Sequence, residues 1–96
     1  MEPEPPDPSS TPPTGAAAAA VADLAERLAI EATAVEVVST EAVTWSNGSL
    51  GCAEPGMMYT QSLVDGSRII LRAGGTTYEY HSGESGEAFL CERPTQ

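Results

Sequence analysis

Two cysteines, and the turn-rich stretch around the first of them, are the residues of this chain best suited to forming a chemical or binding site. Cys52 lies in residues 45–56, which also hold a tryptophan, an Asn-Gly pair and a Pro-Gly pair, and Cys91 follows much later. Asn-Gly and Pro-Gly pairs favour tight turns. The stretch therefore predicts a loop with a fixed path, which a bond between Cys52 and Cys91 would clamp.

The cysteine count favours a disulfide over a metal site. A structural zinc site needs four nitrogen or sulfur ligands, whereas this chain has two cysteines and one histidine. Closing a loop of about forty residues would stabilise the fold by roughly 4 kcal/mol. The alternative is a pair of buried free thiols in a cytosolic protein. We expect no metal and no organic cofactor.

The only histidine, His81, is the only candidate for a general base. A serine or cysteine nucleophile would need this imidazole and an acid that orients it. The hairpin predicted below places His81 on an outward face opposite Arg68, where a solvated surface histidine is the simpler interpretation. The acidic residues are scattered and form no catalytic pair, so we expect no enzymatic activity.

Charge limits the classes of partner. Fourteen acids face four arginines and no lysine, which gives a formal net charge of −10. This field would repel phosphate backbones and anionic lipids. The apolar run 16–21 is too short to cross a bilayer. We therefore expect no nucleic-acid binding and no membrane insertion by this chain, and a charged partner would be basic.

Composition divides the chain into a leader and one domain. Residues 1–15 hold six of the eight prolines together with acids, and they lack the apolar residues needed to bury a core. We interpret them as a disordered, Pro-rich acidic linker. Residues 16–96 then form a single domain, expected to be a monomer, of a size at which a covalent staple is a common stabilising device.

Alternating and helical patterns predict the elements of this domain. An alanine-rich amphipathic helix is expected from Ala16 to about Thr33, with Asp23 and Arg27 one turn apart. Its apolar stripe comprises Val21, Leu24, Leu28 and Ala32. Strands are expected at 35–38, 42–45, 57–64 and 88–91, with a bend, bulge or exposed stretch at 39–41 and a turn at Asp65-Gly66.

The clearest element is a hairpin around Gly74-Gly75. A two-residue turn there pairs Ala73 with Thr76 and fixes the rest of the register. One face then carries Ile69, Leu71, Tyr78 and Tyr80, and the other carries Arg68, Arg72, Thr77, Glu79 and His81. Only Ile70 does not fit. The predicted fold is α+β, with one N-terminal helix on an antiparallel meander of four to five strands and one disulfide.

Residues 43–61, together with 68–71 and 78–81, resemble a group of small bacterial exported or lipoprotein-type domains. The shared pattern is a tryptophan, then Asn-Gly-Ser-Leu-Gly-Cys, Pro-Gly and Tyr-Thr-Gln, and the likeness extends over 35–91. Ala53 departs from the proline that this pattern has, which implies a slightly less rigid loop. The resemblance implies the fold and an extracytoplasmic location, with the signal segment absent from this chain, and it implies no reaction.

Two binding roles follow from the turn-rich loop. The first is an exported protein-interaction or structural domain, whose binding residues would be Trp45, Asn47, Gly48, Leu50, Glu54, Pro55 and Met57. The alternative is a protease inhibitor that presents loop 46–56 with Leu50 near its tip; the order of elements is also similar to potato type I inhibitors. Exposure distinguishes them, because an inhibitor needs Leu50 outside with its neighbours pinned, whereas a structural domain needs Leu50 and Trp45 inside.

Overall fold

The computed structural model describes residues 15–96 and contains one α-helix and four antiparallel strands. The elements are α1 (Gly15–Leu28), a 3-10 turn (Ala32–Ala34), β1 (Glu36–Trp45), β2 (Val64–Ala73), β3 (Thr76–Ser82) and β4 (Ala88–Leu90). The strands form one open sheet in the order β1-β2-β3-β4. The predicted α+β class is confirmed. Residues 1–14, which make up most of the predicted linker, lie outside the described residues.

The hairpin between β2 and β3 has the predicted register. Ala73 pairs with Thr76, and Ile69 pairs with Tyr80. Gly74 and Gly75 have φ values of 58° and 82°. Positive φ at both central residues matches the right-handed twist of the two strands, and glycine adopts it without steric cost. Local turn chemistry and side-chain alternation therefore specify the same pairing.

Helix α1 covers one face of the sheet. The buried cluster between them comprises Ala20, Val21, Leu24, Ala25, Val35, Ile69, Leu71, Ala73 and Tyr80. The helix ends at Leu28, earlier than predicted, because Ala29 turns into the left-handed region at φ 55° and the Ile30 amide donates to the Ala25 carbonyl. As a result Leu28 is 37 % exposed and Ala32 falls in the 3-10 turn, so only half of the predicted stripe reaches the core.

The strand pattern differs from the prediction in three places. The predicted strands at 35–38 and 42–45 form one strand, β1, which begins at Glu36, because the intervening residues pair with β2. Residues 57–63 form no strand, and β2 begins only at Val64. The predicted turn at Asp65-Gly66 is wrong: both residues lie inside β2, opposite Thr44 and Val43. Glycine often marks a turn, but within a strand it also marks a close approach of other atoms.

A β-bulge in β1 decides which face each later residue of that strand occupies. The pairing shifts between Val37 and Ser39, so that Val38 is the extra residue. Without the bulge, Val37 and Trp45 would share a face, because their positions differ by an even number. With it, Val37 packs against the helix-side core while Trp45 lies on the opposite face with Arg68. This second face also holds Ile70, which is half-buried.

A hydrogen bond ties the helix to the sheet. The Tyr80 hydroxyl donates to Asp23 Oδ2 over 2.6 Å, and Asp23 also pairs with Arg27 one turn later. The Tyr80 hydroxyl, assisted by Arg27, holds the pKa of Asp23 below its usual value. Burial, together with the bond to Asp23, raises the pKa of Tyr80.

We expect Tyr80→Phe to lower the free energy of unfolding at pH 7 by about 1 kcal/mol, since it removes a hydrogen bond to a carboxylate that is about one third exposed. The lowered Asp23 pKa stabilises the fold above a pH of about 3.9, and this contribution is lost as the pH falls further. The raised Tyr80 pKa stabilises the fold below a pH of about 10, and this contribution is lost as the pH rises further.

Urea unfolding at acidic, neutral and alkaline pH measures these effects. Tyr80→Phe should abolish most of the alkaline loss and weaken the acidic one. Tyr78→Phe is the matched control, because Tyr78 packs against the same core and should retain the pH dependence of the wild type. Identical pH profiles for wild type and Tyr80→Phe would contradict the assignment.

Candidate functional site

Residues 46–63, termed the braced loop, connect β1 to β2, and the part around Leu50 and Gly51 lies against the face of the sheet opposite the helix. The predicted disulfide is present: Cys52 in the loop is bonded to Cys91, which directly follows β4, across 39 positions of sequence. The bond joins the loop to the strand at the far edge of the sheet from β1. The sheet therefore carries the helix on one face and the braced loop on the other.

Trp45 is the centre of the contact between loop and sheet, and its side chain is fully buried. Its ring stacks on His81 with centroids 4.4 Å apart, and the guanidinium carbon of Arg68 lies 5.4 Å from its centroid. The indole N–H donates to the Ser82 carbonyl over 2.7 Å. Trp45 thus links β1, β2 and β3 on this face, and it supports the loop from beneath instead of offering a contact surface.

Two glycines make room for the indole. A Cβ on Gly66 would lie 1.8 Å from the Ser82 carbonyl oxygen and 2.7 Å from the indole nitrogen. A Cβ on Gly51 would lie 2.4 Å from a carbon of the Trp45 ring, and Gly51 also has a left-handed φ of 75°. These contacts explain why Gly66 lies within a strand: the indole crosses β2 where a side chain would otherwise be.

His81 lies beneath the loop, fully buried, which corrects the prediction of a surface histidine. The alternation of side chains along β3 was predicted correctly, but the face of the sheet that carries His81 is covered by the loop. Its Nδ1 lies 2.7 Å from the Leu50 carbonyl oxygen and its Nε2 lies 2.5 Å from Glu79 Oε2. A carbonyl and a carboxylate both accept, so this geometry uses both ring nitrogens as donors or places the second proton on Glu79. Neither nitrogen is left to act on a substrate.

Arg68 extends this polar network toward the edge of the sheet. Its Nε lies 3.3 Å from Glu79 Oε2, and its Nη1 lies 3.0 Å from Glu41 Oε1. Its Nη2 donates to the Gln96 carbonyl. Arg68 thus lies between the carboxylates of Glu79 and Glu41, which compensates the partial burial of its guanidinium.

Backbone hydrogen bonds fix the path of the loop. Asn47 Oδ1 accepts from the Ser49 amide over 2.9 Å, as in an Asx turn, and the Gly48 amide donates to the Thr60 carbonyl over 2.7 Å. Leu50 is half-buried, with its methyl groups near Gly83, and its φ of 57° is left-handed. The predicted fixed path is therefore observed, while Leu50 is neither a protruding tip nor a full core residue.

The C-terminal residues have a role that the sequence patterns do not indicate. The Thr95 amide donates to the Gly51 carbonyl over 2.7 Å, and Thr95 Oγ1 accepts from the Ala53 amide over 3.0 Å. Gln96 Oε1 accepts from the Ser46 amide, and Gln96 Nε2 donates to the Thr44 carbonyl. Polar residues after a last strand carry no periodic signal, so only the folded chain reveals that they line the loop.

The predicted binding residues separate by exposure. Trp45 is buried, Asn47 and Leu50 are half-buried, and the remaining four, Gly48, Glu54, Pro55 and Met57, are exposed. The largest exposed apolar side chains of the loop lie further along: Met57 is 59 %, Leu63 73 % and Met58 95 % exposed. The accessible apolar surface of the loop therefore lies at residues 57–63, and not at Leu50 as predicted.

Comparison with protein families matches residues 17–91 to a domain of unknown function, DUF8738. The chain belongs to this family. The DUF8738 match begins within α1 and ends at Cys91, so it includes the helix, the sheet, the braced loop and both cysteines. Searches of curated proteins and of solved structures find no match.

We expect Gly66→Ala to lower the free energy of unfolding by about 3 kcal/mol or more, because its methyl group would overlap the Ser82 carbonyl and displace the indole. Gly86→Ala is the control: no atom lies within 4 Å of the added methyl group, although φ is 82°, so its cost should stay near 1 kcal/mol. Urea unfolding followed by tryptophan fluorescence measures both. Equal losses for the two variants would show that the indole does not need this gap.

The disulfide gives a second test. The intact mass should be two hydrogens below that of the reduced chain, and reduction should lower Tm by on the order of ten degrees or more, because it releases roughly 4 kcal/mol of constraint on the unfolded state. The double variant Cys52→Ser/Cys91→Ser should melt like the reduced protein and should not respond to reductant. Alkylation of both thiols in the native, air-exposed protein would refute the bond.

Proposed function

We propose that this chain is an exported, non-enzymatic protein-interaction domain that uses its braced loop to bind a partner protein. The observation that carries the proposal is the exposure of Met57, Met58 and Leu63 on a loop that is held at both ends. We call these three exposed side chains, which lie close together in sequence, the methionine patch.

The methionine patch combines exposed apolar area with a held backbone. The Glu54 amide donates to the Tyr59 hydroxyl over 3.0 Å, and the Thr60 carbonyl is bonded to the Gly48 amide. Burial of an exposed apolar side chain such as Met58 against a partner contributes favourable binding free energy, and the flexible methionine side chain adapts its shape to varied partners. Because the backbone is already held, less conformational entropy is lost on binding.

Charge supports a partner of opposite sign. The chain carries a net charge of −10, and Glu54 and Asp65 are exposed close in sequence to the methionine patch. A partner with an apolar pocket and basic surroundings would complement this surface. Across the part of the chain that the structure describes, no helix has the length and apolar character needed to cross a membrane.

Export is supported by the disulfide between Cys52 and Cys91. Disulfides form and persist in oxidising compartments and are rare in the cytosol. The resemblance of residues 35–91 to small exported bacterial domains points the same way. We propose that the protein acts outside the cytoplasm as a monomer.

Protease inhibition through Leu50 is less well supported. A protease typically aligns an inhibitor loop as an extended strand, whereas Leu50 has a left-handed φ of 57° and packs near Gly83. Its half-buried side chain also has less area to offer than Met58. The inhibitor hypothesis is therefore an alternative outcome of the test below.

The test compares a variant of the methionine patch with a control variant on the helix side of the domain. We expect Met57→Ser/Met58→Ser to change the free energy of unfolding by less than about 1 kcal/mol, as is usual for exposed positions, while binding to the physiological partner falls at least tenfold. Leu28→Gln, on the helix side, replaces a side chain that is 37 % exposed and should leave binding unchanged. The partner used in this binding assay is the protein that the wild type captures from the extracellular fraction.

Leu50→Ala distinguishes the alternative. Because Leu50 is half-buried, we expect a loss of about 1–2 kcal/mol in unfolding free energy, between the values for surface and core positions. Partner binding should be retained at temperatures where the variant is folded. If the wild type inhibits serine proteases at micromolar concentration and folded Leu50→Ala does not, the inhibitor hypothesis replaces the methionine patch.

A further inference from the structure

Strand β1 forms an open edge of the sheet. It has ten residues, Glu36–Trp45, and pairs only with β2 among the described elements. An edge strand has one row of backbone N–H and C=O groups directed away from the sheet. The hairpin register determines which residues of β1 carry this row.

The two-residue turn at Gly74-Gly75 makes Ala73 and Thr76 a hydrogen-bonded pair. Such pairs alternate along an antiparallel ladder. Leu71 and Ile69 therefore direct their backbone groups toward β3, and the alternate β2 residues direct theirs toward β1. Those alternate residues are Gly66, Arg68, Ile70 and Arg72.

The partners of these residues on β1 are Val43, Glu41, Ser39 and Glu36. Their backbone groups point into the sheet, so those of Thr40, Ala42 and Thr44 point outward. An independent contact agrees with this assignment, because the Gln96 side-chain amide donates to the Thr44 carbonyl over 3.0 Å.

The free part of the edge is short and well defined. The bulge at Val38 interrupts one end, and Gln96 occupies the Thr44 carbonyl at the other. Within residues 15–96, no hydrogen bond is made to the outward backbone groups of Thr40 and Ala42. Four donors and acceptors are thus available to an added strand of about five residues.

We propose that this edge binds an extended, basic segment of a partner protein as an additional strand of the sheet. The charge of the edge selects the segment: Glu41 contacts Arg68 through one carboxylate oxygen, its side chain is still 62 % exposed, and the whole chain carries −10. An arginine or lysine directly across from Glu41 would form a favourable cross-strand pair. The small side chains of Thr40 and Ala42 leave space on the other face of the added strand.

A second copy of this chain fits the edge less well. The symmetric pairing that joins Thr40 to Ala42 of the other copy places Glu41 opposite Glu41, and like charges directly across a ladder are destabilising. The net charge adds a long-range repulsion between copies. The edge is also separate in sequence from the methionine patch, so this proposal goes beyond the proposed function and does not depend on it.

Hydrogen exchange of the full chain tests the assignment of the edge. The amides of Thr40 and Ala42 should exchange rapidly and those of Glu41 and Val43 slowly, since only the latter are bonded to β2. An acetylated, amidated heptapeptide of alternating valine and arginine should protect Thr40 and Ala42. The control peptide has the same residues with one proline inserted at its centre, so it carries the same charge. Because proline lacks an N–H and cannot complete the ladder of hydrogen bonds, this peptide should bind at least tenfold more weakly.

Ala42→Pro removes one outward N–H and no hydrogen bond to β2, so it should fold and should weaken binding of the valine–arginine peptide at least tenfold. Ala42→Val should bind within twofold of the wild type. Should Ala42→Pro fail to fold, Glu41→Gln serves instead and should weaken binding several-fold. Equal binding of the proline peptide, unchanged binding by Ala42→Pro, absence of binding, or protection of the edge through concentration-dependent self-association would overturn the proposal.

Discussion

The position of Trp45 is the constraint on which this fold most depends. A buried indole needs a partner for its N–H and a flat apolar environment for its ring. The Ser82 carbonyl and the His81 ring meet these needs, and Gly51 and Gly66 leave the space. The Trp45 side chain therefore explains why Gly66 lies within a strand, why His81 is buried and how closely the loop approaches the sheet at Gly51.

The bulge at Val38 makes this arrangement possible. It reverses the alternation of β1, so that the first part of the strand contributes Val37 to the helix-side core and the last part contributes Trp45 to the loop side. A four-stranded sheet thereby buries side chains on both of its faces, one group under a helix and one group under a loop. A chain of this length has little apolar surface to bury, and two covered faces use more of it than one.

The two proposed binding surfaces have different physical origins. The methionine patch is a side-chain surface, and its exposed apolar area is available because the disulfide and the hydrogen bonds of the loop hold the backbone in place. The β1 edge is a backbone surface, and its availability follows from the order of strands. Arg68 connects them indirectly: it contacts Glu41 of the edge strand and lies over Trp45 beneath the loop.

Local patterns in the sequence were enough to predict the helix, the register of the β2–β3 hairpin and the cysteine pair, because each depends on residues whose spacing is itself the signal. The covered second face was not predictable in this way. Gly66 looks like a turn residue until an indole crosses it, and His81 looks like a surface residue until a loop covers it. The loop at 57–63 has strand-like composition but pairs with no strand among residues 15–96. These features depend on contacts between distant parts of the chain, which periodicity cannot report and only the tertiary structure decides.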